Sequence, residues 1–225
     1  MRRHLRTLST LLIVVGVLLL AEGAVTVLWQ EPVSGIYSRI EQGRLDSRLA
    51  TIEGETYTTV ERKAITRLPT PQRKLSFAAR ALDRRADDGD PLGRVTIPRI
   101  GLKTVFVAGT DGGDLRKGPG HYPSTPLPGV RGTVAIAGHR TTYGAPFRKL
   151  DKLRDGDQIH LRMPYGNFTY KVERTRIVPP TATWVTQRTS YDRLVLSACH
   201  PLYSAAKRIV VFARLVSDEP RGATA

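Results

Sequence analysis

Residues 193–216 read RLVLSACHPLYSAAKRIVVFARLV, two strand-like runs joined by a short loop that contains a proline. The first run ends at Cys199, the only cysteine of the chain, and the second begins directly after Arg208. Side chains at strand ends are where a rigid scaffold can aim chemical groups at a common point. This stretch therefore predicts a β-sheet protein that presents a thiol and a guanidinium at the ends of buried strands.

Further upstream, residues 132–137 form another strand-like run, which leads into Gly138 and His139. Other apolar runs of strand length alternate with Gly and Pro turns. The predicted strands are 93–97, 103–107, 132–137, 158–163, 168–178, 193–197 and 208–216, with 165–167 as a hairpin connection. Such a series with few helices predicts a mostly β fold, either a barrel or a sandwich.

Three motifs follow one another along these strands. They are GPGHYP at 118–123 with PLPG at 126–129, AIAGHRTTYGAPF at 135–147, and LSACHP at 196–201 with RIVV at 208–211. In this order and spacing, over residues 92–216, the chain resembles the sortase family. The run GHRTTYG is most similar to the actinobacterial class E branch, with class D as its neighbour. One position departs from the family, because sortases usually carry Thr directly before the cysteine, where this chain has Ala198.

The resemblance implies a closed eight-stranded sortase-type β-barrel with short helices, preceded by an N-terminal transmembrane helix. It also implies a cysteine transpeptidase that cleaves a sorting signal of the Leu-Pro-x-Thr-Gly or Leu-Ala-x-Thr-Gly kind between Thr and Gly. The thioacyl intermediate would pass to an amine of a peptidoglycan precursor or of a pilin lysine. The implied partners are surface proteins or pilins that carry the signal, with no nucleic acid and no cofactor.

The resemblance assigns the catalytic roles to Cys199, His139 and Arg208. A thiolate attacks an amide carbonyl and leaves again from a thioester, while a histidine transfers the protons. A guanidinium can donate to the carbonyl oxygen as it becomes an oxyanion. The alternative role of Arg208 is a strand-edge charge that discourages edge pairing, and its rivals by position are Lys207, Arg214 and Arg140.

Three other histidines compete with His139 as the general acid/base. His200 follows the cysteine directly and should point to the opposite face of the strand, and His160 lies mid-strand on the expected barrel surface. His121 lies in a Gly/Pro-rich loop and could line the groove. His139 is therefore the predicted acid/base, with His121 as the alternative.

The candidate substrate-binding residues are Tyr143, Ala198, His121 and Trp184. No group of His, Cys or carboxylate residues has the spacing of metal ligands, so neither a metal nor another cofactor is expected. Asp151, Asp155 and Asp157 lie close together in the sequence and are expected to form a solvated turn.

The N-terminal residues predict membrane attachment. Residues 1–10 form a basic tail, and 11–29 form an apolar run of the length that crosses a bilayer as a helix. The arginines before the run predict a single-pass cell-membrane protein with a cytoplasmic N-terminus and an extracellular catalytic domain. Glu22 is costly within such a span unless it lies near the outer interface. A cleaved signal peptide is the alternative, because residues 11–21 have the length of a signal h-region.

Residues 30–90 are predicted as an extracellular stalk or linker with an amphipathic helix near 74–85. The catalytic barrel is predicted at 91–217, followed by a tail at 218–225. Residues 34–49 have weak helical spacing, which allows a short helix or a flexible stalk. A soluble fragment that begins near Leu75 is accordingly expected to retain activity.

The formal net charge of +15 raises the question of a polyanionic partner. The basic residues are scattered and no aromatic platform accompanies them, which argues against a nucleic-acid-binding protein. Outside the cell, this charge favours contact with anionic envelope polymers. A membrane-tethered, non-enzymatic β-barrel that binds such polymers is thus the alternative function.

A papain-like hydrolase is disfavoured, because in that class the cysteine usually precedes the histidine.

Overall fold

The computed structural model describes residues 2–29, 32–54 and 57–222. Met1 of the predicted basic tail, residues 30–31 and 55–56 of the predicted stalk, and 223–225 of the predicted tail lie outside these ranges. The α-helices are α1 (Arg2–Trp29), α2 (Pro32–Gly54), α3 (Thr59–Thr66), α4 (Pro71–Asp83) and α5 (Gly112–Lys117). The strands are β1 (Pro91–Ile97), β2 (Leu102–Ala108), β3 (Gly120–His121), β4 (Thr133–Ala137), β5 (Gln158–Met163), β6 (Gly166–Val178), β7 (Arg193–His200) and β8 (Lys207–Pro220). Short 3-10 helices lie at Pro98–Ile100, Leu150–Lys152 and Thr183–Thr186.

The strands close into a barrel in the order β1-β2-β3-β4-β7-β8-β6-β5, which confirms the predicted eight-stranded barrel. Neighbouring strands are antiparallel except for the pairs β2–β3 and β4–β7, which are parallel. The sequence pattern did not reveal β3, because two residues are too few to show an alternation of apolar and polar side chains. The β5–β6 turn lies at Pro164 and Tyr165, next to the predicted hairpin connection.

The two faces of β7 have different roles. Leu194, Leu196 and Ala198 belong to the main core inside the barrel. Val195, on the outer face, packs in a second apolar cluster that also holds Phe212 of β8 and is covered by the 3-10 helix Thr183–Thr186. Because side chains alternate along a strand, Cys199 belongs to this outer face.

Helix α2 packs along β2 on the outside of the barrel. Its Leu45 and Leu49 are buried against Val105 and Val107. The Gln42 side-chain amide donates to the Val105 carbonyl oxygen (3.0 Å) and accepts a hydrogen bond from the Val105 amide (2.8 Å). Since only the last two residues of β2 pair with β3, Gln42 satisfies backbone groups on the part of the β2 edge that β3 does not reach.

The segment predicted as a stalk is therefore largely helical and packed on the barrel. Besides α2, the main core includes Tyr57 and Ile65, which lie before Leu75 in the chain. The helix predicted near 74–85 is α4, which begins after Thr70. The sequence alone does not reveal this packing, because the buried apolar residues are widely spaced in a polar stretch. A fragment that begins near Leu75 lacks part of the core.

Helix α1 contains the window Arg6–Gly23, long and apolar enough to cross a membrane, and none of it is buried against the rest of the protein. Among the described residues, it is the one helix that meets this criterion. A membrane anchor and an N-terminal signal sequence share these properties, so the window agrees with both alternatives left open by the sequence.

Candidate active site

The barrel register brings Cys199 and Arg208 opposite each other, and His139 follows β4, the strand on the other side of β7, by two residues. Cys199 of β7 lies directly opposite Arg208 of β8. On the other side of β7, Ala137 of β4 pairs in parallel with Ser197, and the amide of Gly138 donates to the Ser197 carbonyl oxygen at 3.0 Å. His139 follows Ala137 by two residues, as Cys199 follows Ser197. The β4–β7–β8 order of the barrel therefore creates the constellation.

Cys199 is half-buried and carries a free thiol. Its neighbour in the chain, Ala198, is 4% exposed and lies in the core inside the barrel. The thiol consequently occupies the outer face together with Ser197, two residues earlier. This is the face on which an extended peptide can approach the sulfur.

His139 is half-buried at the start of the loop that follows β4. Its carbonyl oxygen accepts a hydrogen bond from the Phe147 amide at 3.0 Å, which closes the loop. Gly138 allows this closure, because a Cβ at that position would lie 2.6 Å from the Phe147 ring. Burial, and secondarily the positive charge of Arg116, lowers the pKa of the His139 imidazole. A lowered pKa favours the neutral imidazole, which is the form that accepts a proton as a base.

Arg208 is half-buried and its guanidinium turns toward the loop between β7 and β8. Its Nη1 donates to the carbonyl oxygens of Ala205 (2.9 Å) and Lys207 (3.0 Å). A guanidinium carries five N–H donors, so donors beyond these two bonds remain for a substrate oxygen. Arg214, its rival on the same strand, instead pairs with Glu173 at 2.6 Å.

The four predicted substrate-binding residues fall into two groups. Tyr143 and Trp184 lie at the surface on the side of the site: the Tyr143 ring is 5.2 Å from the His139 ring, and Trp184 stacks on Phe212 at 5.9 Å. His121 and Ala198, in contrast, are buried. Ala198 points into the barrel because of strand alternation.

His121 is 2% exposed, and its Nε2 lies 3.2 Å from the Pro126 carbonyl oxygen and 3.1 Å from the Thr125 hydroxyl. Burial lowers the pKa of its imidazole to about 4. The Gly/Pro-rich sequence around it suggested a loop, but His121 ends strand β3 opposite Ile136 of β4, and its ring bonds the Thr125 hydroxyl and the Pro126 carbonyl of the loop that follows. The structure thus separates His121 from the surface that holds Cys199.

Sequence reasoning missed a charged network beneath the site. Arg140, only 4% exposed, places Nη1 3.1 Å from Nδ1 of His200 and donates through Nη2 to Asp151 at 2.9 Å. Because Arg140 follows His139 and His200 follows Cys199, the network joins the ends of β4 and β7. Asp151 had been expected only in a solvated turn, and nothing in its local sequence signals this partner.

A second missed contact lies on the outer face, where the Tyr122 hydroxyl is 3.1 Å from the Ser197 hydroxyl. Strand alternation counted back from Cys199 would have identified Ser197 as a groove residue. His160 pairs across the strands with Thr169, at 3.1 Å from its hydroxyl.

Within residues 2–29, 32–54 and 57–222, no group of three or more His, Cys, Asp and Glu residues is arranged to hold a metal ion.

A thiol, an imidazole with lowered pKa and a guanidinium, carried by or directly following three adjacent strands, are the groups that acyl transfer requires. The thiol supplies a nucleophile, the imidazole a proton carrier and the guanidinium a donor for an oxyanion.

Comparison with known proteins finds the same family throughout. A family model described as a sortase domain matches residues 95–216. Sortase D of Bacillus subtilis (strain 168) is 34% identical over 137 residues, which cover 59% of this chain and 68% of that protein. The structure of sortase E from Streptomyces avermitilis superposes with a TM-score of 0.56 at 32% identity, covering 62% of this chain and 99% of that one. A sortase D5 transpeptidase from Clostridium perfringens shares the fold, with a TM-score of 0.61 at 23% identity over 79% of this chain and 99% of that one.

Proposed function

This chain belongs to the sortase family, as its sequence motifs predict, and from that premise we propose that it is a cysteine transpeptidase with Cys199, His139 and Arg208 as its catalytic residues. The family assigns it transpeptidase chemistry on proteins that carry a sorting signal. The observation that supports the three residues is the strand register: Cys199 lies opposite Arg208, and His139 follows two residues after Ala137, which pairs with Ser197 on the other side of β7.

The first half of the reaction would form a thioester. The Cys199 thiol gives its proton to His139, and its sulfur attacks the carbonyl carbon of the Thr–Gly bond in a Leu-Pro-x-Thr-Gly or Leu-Ala-x-Thr-Gly signal. The carbonyl oxygen becomes an oxyanion, to which the Arg208 guanidinium donates. As the C–N bond breaks, His139 gives a proton to the leaving amine, and the substrate remains attached through an S–C bond.

The second half would transfer the acyl group to an amine. A primary amine of a peptidoglycan precursor or a pilin lysine attacks the thioester carbon and loses a proton to His139. The thiolate leaves, which restores the enzyme. An amine outcompetes water only if water is scarce at the thioester, which the half-buried setting of Cys199 favours.

The proposed location is the cell membrane, with α1 as a single-pass anchor, a cytoplasmic N-terminus and an extracellular barrel. The apolar window of α1 supports an anchor, and the arginines before it support this orientation. The substrates would be surface proteins or pilins held at the same membrane.

The test is capture of the thioester. The full chain in detergent is mixed with a sorting-signal peptide, and no acceptor amine is added. The mass of the intact protein is then measured by mass spectrometry. We expect an adduct of the mass of the peptide up to its Thr on wild type, and none on Cys199→Ala. A triglycine acceptor should discharge the adduct.

The same assay tests which histidine, His139 or His121, is the general acid/base. His139→Ala should abolish adduct formation and His121→Ala should retain it in whatever fraction stays folded, because the His121 side chain is buried and bonded to Thr125 and Pro126, whereas the half-buried His139 is the proposed proton carrier. Adduct formation by folded His139→Ala together with its loss in folded His121→Ala would reverse the assignment. A chain that never forms an adduct but sediments with anionic wall polymer would favour the non-enzymatic binder instead.

A further inference from the structure

The loop after His139 contains an unusual run of backbone conformations. Tyr143, Gly144 and Ala145 all have positive φ angles, of 49°, 73° and 43°. Tyr and Ala rarely adopt this left-handed region, because their Cβ approaches the following carbonyl oxygen. Such conformations persist where surrounding contacts enforce them, and they concentrate at functional sites.

The contacts that enforce this conformation come from the first turns of α2. The Ser34 hydroxyl oxygen accepts a hydrogen bond from the Tyr143 amide at 3.1 Å. The Tyr37 ring meets the Tyr143 ring edge to face, with centroids 6.1 Å apart at 75°. Gly144 lies so close to Ser38 that an added Cβ would be 2.8 Å from its hydroxyl oxygen. The loop is thus folded against the helix that follows the proposed membrane anchor.

The other side of Tyr143 faces the candidate acid/base. Its ring centroid lies 5.2 Å from that of His139 with an interplanar angle of 39°. The guanidinium carbon of Arg116, on α5, lies 5.8 Å from the Tyr143 ring centroid. Tyr143 therefore lies between His139 on one side and Tyr37 of α2 on the other.

His139 needs such support, because a catalytic base works only in one orientation. In comparable nucleophile–base pairs, a third group usually orients the base through a hydrogen bond. Here Nε2 of His139 is buried and has no hydrogen-bond partner among the described part of the chain. Packing against the Tyr143 ring, whose centroid is 5.2 Å away, can restrict the imidazole in place of that hydrogen bond.

We propose that Tyr143 is a positioning residue for His139, and that Ser34 and Tyr37 of α2 hold Tyr143 in place. The inference rests on the proposed function in assigning His139 the acid/base role. It makes the helix directly after the anchor a structural part of the catalytic site.

One consequence can be measured without substrate. The charged and titratable groups nearest the imidazole along the chain and in its contacts are Arg116 from α5, Tyr143 of the same loop and the adjacent Arg140. Cys199 of β7 and Arg208 of β8 lie on the neighbouring strands. The positive charge of Arg116 adds to burial in lowering the pKa of His139. Removing the Tyr143 ring admits water to the imidazole, so the pKa of His139 should rise toward its ordinary value.

The first experiment is an NMR titration of ¹³C-histidine-labelled full chain in micelles, with His139→Gln to assign the resonance. Tyr143→Ala should raise the pKa of His139, whereas Tyr143→Phe, which keeps the ring, should leave it at the wild-type value. Tyr203→Ala is the matched control, since Tyr203 also has a positive φ (64°) and an arginine, Arg148, over its ring at 5.7 Å. It should leave the His139 pKa unchanged.

A second set of variants tests whether α2 holds Tyr143 in place. Tyr37→Ala should shift the His139 pKa in the same direction as Tyr143→Ala. Ile40→Ala should not shift it, because Ile40 lies nearly one turn further along the helix and its side chain is 53% exposed. Turnover should fall about 10- to 100-fold in Tyr143→Ala, as expected for a misplaced catalytic group, and recover in Tyr143→Phe.

An unchanged His139 pKa in folded Tyr143→Ala would overturn the proposal, and so would a Tyr143→Phe variant as impaired as Tyr143→Ala. A wild-type chain that processes no sorting signal while the pKa shifts appear as expected would refute the proposed function alone. The two failures are therefore distinguishable.

Discussion

At the scale of single residues, Arg208 is the position where a structural role and a catalytic role predict the most different effects of substitution. It lies opposite Cys199, and its Nη1 is held by two carbonyl oxygens of the β7–β8 loop. These bonds hold one end of the guanidinium against the loop, at the strand position opposite Cys199. A charge that only discouraged strand-edge pairing would need no such bonds.

We expect Arg208→Lys and Arg208→Ala both to lose about 10²- to 10³-fold in turnover, because an ammonium on a different stem does not reproduce the planar fork. Both should unfold at temperatures near that of wild type. Arg214→Ala is the matched control on the same strand and should remain active, although it loses the pair with Glu173. Near-normal turnover of Arg208→Lys in a peptide-cleavage assay would contradict the oxyanion role.

His121 predicts a pH dependence of stability. Burial lowers its pKa to about 4 in the folded protein, whereas the unfolded chain titrates near 6.5. Between these values the unfolded state binds the additional proton, so the free energy of unfolding should fall as the pH drops from about 6.5 to about 4, by up to about 3 kcal/mol.

The pKa of His139 is lowered as well, so the comparison is made in a His139→Gln background. Urea unfolding at pH 7 and pH 4.5 should show a smaller difference once His121→Gln is added. An equal pH effect with and without His121 would mean that its burial does not control acid stability.

At the scale of elements, a strand or helix could be predicted from the sequence where its apolar residues recur over several positions. Long strands such as β6 and β8 were visible as apolar runs, and motifs at the ends of β4 and β7 indicated the site. The two-residue β3 has no pattern to detect. The role of α2 was invisible for a different reason: Gln42 and Ser34 stabilise it through long-range contacts that local sequence does not encode. The inward position of His121 likewise depends on how its loop folds.

The docking of α2 gives a prediction about truncation. A fragment of residues 34–225 should fold with a melting temperature close to that of the full chain. One of residues 75–225 should be strongly destabilised, because it removes Tyr57 and Ile65 from the core and uncovers Val105 and Val107.

Single substitutions should show the same effect. Leu45→Ala should cost about 2–5 kcal/mol, since Leu45 is 2% exposed, whereas Ile40→Ala, on the exposed side of the same helix, should cost little. Circular dichroism melting curves measure both. A fragment of residues 75–225 as stable as the full chain would show that α2 and α3 are dispensable after all.

At the scale of the whole molecule, the charge distribution and α1 give a prediction about topology. Protease added to intact protoplasts should digest the barrel while a cytosolic marker survives, because the arginines before the span retain the N-terminus inside. The cell-associated chain should also keep its full mass. A barrel that resists external protease would contradict the orientation, and a shortened mature chain would identify 11–29 as a cleaved signal peptide.

The contact between Ser34 and the Tyr143 loop also bears on the kinetics of an anchored enzyme. Only residues 30–33 separate Ser34 from the end of α1, and five extended residue steps span on the order of 18 Å. With α1 in the bilayer, this short connection keeps the Tyr143 loop and the proposed catalytic residues close to the lipid surface. The site then meets substrates only in a thin layer next to the membrane. Its encounters with membrane-held substrates would then depend on the number of molecules per unit area. Diluting both partners with added lipid at constant bulk concentration should slow the reaction, and freeing the substrate from the membrane should remove that dependence.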